Sequence, residues 1–348
     1  MDKLAYLARR VLLMIPTFIG ITAVCFALTR FLPGGPVEMR LMRARGVGAA
    51  GVAANAAVAT SGVTKEYKEE LERQFGFDKP LWRQYCDWLF KNRMGLSLPS
   101  YDYPNKTAWQ LIRSRIPVSL WFGVVSALLT YLVCIPLGMA KAMRRNGVFD
   151  AATSVIVFAA YAIPSFALAM GLMTLFCGTV DGLWDVFPLG GVSGEFDFPP
   201  TALERFADRA WHMALPVACY VSGSFAMLTL LMKNSILDQI ASDYVRTAIA
   251  KGLSRRGAIW KHAFRNALIP VATGFGQLVA LVFAGSIIIE TVFEIPGMGR
   301  LGWDALIGRD YAVFLALLSL TSVFQLAGNL ISDILYMLID PRVDFAGR

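Results

Sequence analysis

The chain has little with which to do covalent chemistry. Histidine occurs twice, at His212 and His262, too few to build a histidine-ligated metal site, and no HExxH pair is present. There is no GxxxxGK[ST] loop, and Lys251-Gly252 stands in the wrong order to cradle a phosphate. Nucleotide binding or hydrolysis by this chain is therefore not expected. No GxSxG elbow marks a serine nucleophile. The five cysteines, Cys25, Cys86, Cys134, Cys177 and Cys219, include no CxxC spacing, and four lie in apolar runs. They read as small apolar packing groups, with no disulfide framework. No catalytic residue, resident cofactor or metal site is expected.

Charge is also scarce. Only 17% of residues are charged and 56% are hydrophobic, which places the chain among polytopic membrane proteins. The net charge of +8 would suit nucleic acid, but the cations cluster in loops beside apolar runs. Topology accounts for them, and nucleic acid is set aside.

Crossing the hydrocarbon core takes about twenty apolar residues in a helix. Six runs qualify: 11–29, 116–140, 151–179, 212–232, 266–289 and 311–332. The first is of full-span length without a small-residue cleavage site, so it reads as a retained anchor. Lys3, Arg9 and Arg10 precede the first run, and Lys141, Arg144 and Arg145 follow the second. A basic loop at 233–265 follows the fourth. Positive charge beside spans marks the cytoplasmic side, so both termini are expected there.

The chain divides accordingly into 1–31, with the N-terminus and first span, an extracytoplasmic excursion at 32–115, and a core of five spans at 116–348. The excursion contains an Ala/Gly-rich tract at 46–62 that reads as a linker, and a charged helix at 64–75. Residues 81–90 are amphipathic, with Trp82, Tyr85 and Leu89 at helical spacing. Either they lie in the membrane interface or their aromatics cap a small outer domain. Pro136, Pro164 and Pro216 interrupt three spans, and each frees a backbone carbonyl that needs another partner.

The spans hold essentially no Asp, Glu, Lys or Arg. Ion-coupled carriers and proton pumps place an ionisable group at the midplane, so energy for transport is expected from outside this chain. The polar loop beginning at Lys233 is the place for it to enter. Its cations Lys233, Arg246, Lys251, Arg255, Arg256, Lys261 and Arg265 face only Asp238 and Asp243. Asp243 to Lys251 reads as a short helix capped by Asp243 or Ser242 and stopped by Gly252. Val245, Ala248 and Ile249 fall on one face, and Ser254 caps a second helix reaching Asn266. Such a helix suits a cleft on a soluble partner; the alternative is a basic loop lying on anionic lipid.

Arg246-Thr247-Ala248, followed by three residues and Gly252, resembles the Glu-Ala-Ala loop of permease subunits of bacterial ABC importers. The glutamate slot holds arginine here. The long interval from Gly252 to Pro270, with Lys261-His262 and Arg265-Asn266-Ala267-Leu268 inside it, is similar to the dipeptide and oligopeptide branch. So are Leu32-Pro33-Gly34-Gly35-Pro36 after the first span, Phe75-Gly76-Phe77-Asp78-Lys79-Pro80, Glu290 with Val292-Phe293, and Pro296-Gly297-Met298-Gly299. Arg309-Asp310, Asn329, Asp333 and Asp340-Pro341-Arg342 fit as well. Together they look closest to the permeases of microcin C and oligopeptide importers.

The resemblance implies an all-α, six-helix type I importer (MetI-like) fold with an extended loop between the first two helices. It implies a bacterial inner membrane location and transport of peptides or peptide-like compounds. It also implies partners: a second related permease, two cytoplasmic ATPase subunits holding ATP and Mg, and an extracytoplasmic peptide-binding protein. The coupling helix toward the ATPases would comprise Tyr244, Val245, Arg246, Thr247, Ala248, Ile249, Lys251 and Gly252. Ser126, Thr130, Tyr131, Tyr161, Ser165, Gln277 and Ser286 are the polar span members available to line a path; hydrogen bonding between helices is their other role. A passive channel or ion-coupled carrier is the competing function.

Overall fold

The computed structural model describes residues 3–31 and 78–339, apart from positions 104, 181, 195 and 197. The expectations placed on 33–36, 46–62, 64–77 and 340–342 lie outside the described residues. The regular elements among the described residues are helices, with two isolated bridges, Pro99 with Thr107 and Cys177 with Asp185, in the connections.

In chain order the helices are α1 Lys3–Phe31, α2 Leu81–Cys86, α3 Ala108–Met143, α4 Val148–Ala162, α5 Ser165–Phe176 and α6 Ala202–Ile240. Short pieces follow: α7 Asp243–Ala250, α8 Arg255–Ala258, α9 Phe264–Ala267, α10 Ile269–Thr273, α11 Phe275–Ala284, α12 Ile287–Val292 and α13 Met298–Ile307. The last, α14, is Tyr311–Ile339. Wide π-type turns, Asp87–Lys91 and Ile259–Ala263, extend α2 and join α8 to α9.

Four of these helices, α1, α3, α6 and α14, are long and apolar enough to cross a membrane. Two expected spans are shaped differently from a straight rod. The run 151–179 is α4 and α5, bent by 97°. Pro164 causes the bend: its ring pushes the preceding residue out of the helical region, and Ile163 is extended at φ −80°, ψ 120°. The run 266–289 is divided among α9 to α12, with Pro270 opening one piece, Gly274 ending it and Gly285 at φ +70°. By contrast α3 continues through Pro136 and α6 through Pro216.

Helices α3 and α6 are much longer than the expected spans. At 1.5 Å rise per residue, the 39 residues of α6 extend about 58 Å against a hydrocarbon core of about 30 Å. A capping box begins α6: Thr201 Oγ1 accepts from the Glu204 amide at 3.3 Å, and the Thr201 amide donates to Glu204 Oε2 at 2.7 Å.

The chain forms two compact units. One comprises Met1–Leu7, Val118–Gly297 and Gln325–Arg348. In it Phe122, Cys219, Ile289, Phe293 and Ile295 lie at the centre of one apolar cluster, and Met139, Met232, Ile236, Ala267 and Val271 form a second. Gly138 lets α3 meet α6 closely: a Cβ there would stand 2.7 Å from Met232 Cβ and 2.8 Å from the Thr229 carbonyl.

The other unit comprises Ala8–Pro117 and Met298–Phe324. Ile112, Met298, Val313 and Ala316 form its core. The amphipathic stretch at 81–90 divides: Tyr85 and Trp88 turn in upon Phe26 of α1, each with ring centroids 5.5 Å from it, while Trp82 stays exposed. Tyr85 Oη also lies 2.8 Å from Thr22 Oγ1. Beside this cluster, Lys79 Nζ donates to Asp87 at 2.8 Å, and that hydrogen bond holds the Asp87 carboxyl below its usual range.

Candidate functional site: the segment between the fourth and fifth apolar runs

The long helix α6 ends at Ile240 and hands the chain to α7. Ser242 takes the N-cap position with extended backbone, φ −74° and ψ 147°. Neither expected side-chain cap forms. The Ser242 hydroxyl donates back to the Asp238 carbonyl at 3.2 Å, and the Asp243 side chain points to solvent, 3.8 Å from Arg246. The last turn of α6 offers an unfilled carbonyl that competes for the serine.

The end of α7 is as expected. Gly252 sits at φ +93°, where a side chain is strained. Its amide reaches the Ile249 carbonyl at 2.9 Å, and the Leu253 amide reaches Ala248 at 3.2 Å. Ser254 Oγ then accepts from the Gly257 amide at 3.2 Å and starts α8. The helical path runs on to Ala267, widened by the π-type turn.

The apolar face of α7 is spent within the chain. Val245 and Ala248 are buried against Ala258, Ile259 and Ala263, flanked by Met143, Ile240 and Leu253. Ile249, the third member of the expected face, stays exposed together with Arg246, Thr247, Lys251 and Gly252. Tyr244 leans out but is tied at its hydroxyl, which donates to Gln239 at 2.6 Å and accepts from Asn266 at 3.1 Å. The outcome is a short helix fixed on its inner face and presenting Arg246, Thr247, Ile249 and Lys251 outward.

The polar residues of the spans separate into three kinds of place. Ser126 and Thr130 are buried, with Thr130 Oγ1 bonded to the Ser126 carbonyl at 2.8 Å. They border a void of about 10 Å³ shared with Tyr220 and Ser224. That is about the space of one water molecule. Tyr131 Oη donates to the Val271 carbonyl at 3.3 Å, and Ser286 caps α12 by accepting from the Ile289 amide at 3.4 Å. Tyr161 is exposed and Ser165 half-buried at the α4–α5 bend. The side chain of Gln277 lies outside what is described.

One constellation escaped sequence reasoning. Asp150, at the start of α4, is buried between Lys141 of α3 and Lys233 of α6. Lys233 Nζ donates to both carboxylate oxygens at 2.8 Å. Lys141 Nζ lies 3.1 Å from Oδ1. Both lysines had been read only as loop charges. The available signal was that Asp150 is the only acid between Asp102 and Asp181, with basic residues close before it.

Comparison with known proteins identifies relatives of the chain. Residues 134–345 match the family described as "Binding-protein-dependent transport system inner membrane component". Among curated relatives, the "Inner membrane ABC transporter permease protein YejB" of Escherichia coli O157:H7 is 38% identical, with 99% of this chain and 100% of the relative covered. The "Peptidoglycan transport system permease protein YejB" of Agrobacterium fabrum is 36% identical over 99% of both chains' lengths. The "Oligopeptide transport system permease protein AppB" of Bacillus subtilis is 33% identical, covering 98% and 99%. With its long apolar helices, a family match over most of the chain and relatives aligned from end to end, this multi-pass protein belongs to the family of inner membrane components of binding-protein-dependent transport systems.

Proposed function

We propose that this chain is a non-catalytic permease subunit of an ATP-driven importer of peptides, coupled to separate ATPase subunits through α7. The observation that carries the coupling role is the division of α7. Val245 and Ala248 fasten it to α8 and the following turn, while Arg246, Thr247, Ile249 and Lys251 stay outward. A helix fixed on one side and bare on the other transmits a push as a rigid element. The names of the relatives, which speak of oligopeptide, peptidoglycan and ABC transport, support the substrate class. Microcin C and other peptide-like compounds fall within that class.

In this reading the loop carrying α7 faces the cytoplasm, and both termini do as well. ATP and Mg reside on the ATPase partners. A second related permease completes the path, and an extracytoplasmic binding protein delivers the peptide. Closure of the ATPases around nucleotide shifts the two-state equilibrium of the helix bundle.

Two measurements test this. Purification from native membranes in mild detergent is expected to bring ATPase chains and a second permease with the tagged chain; a chain that transports alone speaks for a channel or carrier. Gly252→Val places a β-branched residue at φ +93°, at a cost of about 1–2 kcal/mol, and reshapes the end of the coupling helix. Uptake by the reconstituted complex is expected to fall about tenfold, the scale of an ordinary coupling free energy. Normal uptake at normal expression rejects α7 as the coupling element.

A further inference from the structure

The two lysines that share Asp150 are not equivalent. Lys141 has a side-chain exposure of 1%. Its ammonium stands 3.1 Å from the carboxylate and donates to the Asp150 carbonyl at 2.9 Å and to Thr153 Oγ1 and Ser154 Oγ at 2.8 Å each. Four acceptors surround an ammonium that has only three protons, so its demand is met within the α3–α4 turn alone. The Asn146 amide, at 3.3 Å from Oδ2, closes the same turn. Lys141 and Asp150 together form a local anchor that tethers α4 to α3.

Lys233 is placed otherwise. Its partners among the described residues are the two oxygens of Asp150 alone, and its side chain keeps 16% exposure. It reaches them from α6, about two turns before that helix ends at Ile240 and gives way to α7. Lys233 thus joins the helix that carries the coupling segment to the first turn of the bent pair α4–α5. Close to Lys233, α6 also packs on α3, with Met232 and Ile236 in one apolar cluster with Met139 and Ala142. Among the described residues, the charge-assisted bond between α6 and α4 is that of Lys233 to Asp150.

A cation whose only partner among the described residues is a carboxylate that it shares with a second lysine can let go cheaply. On release, Asp150 keeps Lys141, and Lys233, which retains exposure, gains water. The reverse does not hold: Lys141 has no exposed route. We propose that the Lys233–Asp150 pair is a releasable link by which movement of α6, delivered at α7, is passed to the bent pair α4–α5. Lys233 is in this sense a positioning residue. It touches neither nucleotide nor substrate, and acts on transport through the placement of α4. The inference rests on the coupling role proposed for α7.

The test uses the whole importer reconstituted in vesicles, with ATP hydrolysis, peptide uptake and subunit stoichiometry measured together. Lys233→Met keeps the length and apolar stem and removes the charge. The expected result is a complex of unchanged stoichiometry whose ATP hydrolysis stays within about twofold, while peptide taken up per ATP falls about tenfold. Lys233→Arg, which retains a two-pronged donor, is expected to restore most of that yield. Uptake per ATP equal to the unmodified complex overturns the proposal. So does a loss of uptake that merely follows a loss of assembled complex, since that is the signature of a purely structural residue. A failure of the coupling reading itself looks different: Gly252→Val then transports normally, or the unmodified chain brings no ATPase with it.

Discussion

Two buried aspartates in this protein are held in place by opposite means. Asp150 is held by ammonium groups, Lys141 and Lys233, which come from two other helices. Asp310, in the other compact unit, touches no cation among the described residues. The Ser100 hydroxyl donates to its carboxylate, as do the amides of Tyr101 at 3.0 Å and Val313 at 3.2 Å. Backbone amides cannot swing away unless the chain itself refolds, so Asp310 fastens the 100–102 loop to the start of α14 permanently. Lysine side chains are flexible rods with compact charged ends. A carboxylate held by them is a joint, and one held by amides is a rivet.

Removing the charge of the joint is expected to have the largest effect. Asp150→Asn leaves Lys141 with a neutral partner at 1% exposure, while Lys233 at 16% can turn to water. Breaking a buried pair from one side typically costs about 3–5 kcal/mol. The thermal unfolding midpoint of the purified chain in detergent is expected to drop steeply. The double variant Asp150→Asn with Lys141→Met is expected to recover much of that loss, because the stranded charge and not the missing contact carries the cost. A mild effect of Asp150→Asn alone contradicts the assignment of Lys141 as sealed from water.

The same alteration at the rivet is expected to be gentler. Asp310→Asn retains one acceptor oxygen but points an NH2 group toward donors, and an unsatisfied buried group costs about 1–3 kcal/mol. No charge is stranded. Protease sensitivity is expected to rise locally in the 100–107 loop before the midpoint falls much. Equal losses for the two aspartates erase the distinction drawn between them.

How much of this was legible beforehand follows from what each feature depends on. The apolar runs, their basic flanks and the stop at Gly252 are local, and local composition carries them. The bend at Pro164 was visible as a proline but not as a 97° turn, since its angle depends on what α4 and α5 pack against. The run 266–289 read as one span because hydropathy does not register that glycine and proline divide a helix when neighbours replace the lost hydrogen bonds. One such neighbour is Ser332, whose hydroxyl bonds the Thr273 carbonyl and accepts from the Gly276 amide at 2.9 Å.

The site divides in the same way. Ser254 was read correctly as a cap because capping lies within four residues. Ser242 was not, since its hydroxyl chose a carbonyl of the preceding helix. The separation of Ile249 from Val245 and Ala248 depends on where α8 and the turn after it come to rest, and no periodicity encodes that. Asp150 went unread for a related reason. Its lysines are nine residues before it and 83 after it, and each has an ordinary explanation as a loop charge.

Ser254 offers the smallest version of the rivet: one neutral oxygen on one backbone amide, at 3.2 Å and exposed to solvent. Ser254→Ala removes it, and loss of such a cap costs about 1 kcal/mol. Because α8 has four residues and little helix-forming strength of its own, the loss is expected to appear as faster amide hydrogen exchange from Arg255 to Ala258. The midpoint of global unfolding should move little. Ser254→Asp sharpens the result, since a carboxylate at the same amide adds the favourable field of a helix N-terminus and sits near Arg255 and Arg256. Exchange in the aspartate variant is expected to be as slow as in the unmodified chain or slower. If it is fast in both, the hydroxyl does not hold α8, and the packing of Ala258 and Ile259 against Val245 alone keeps the coupling segment in place.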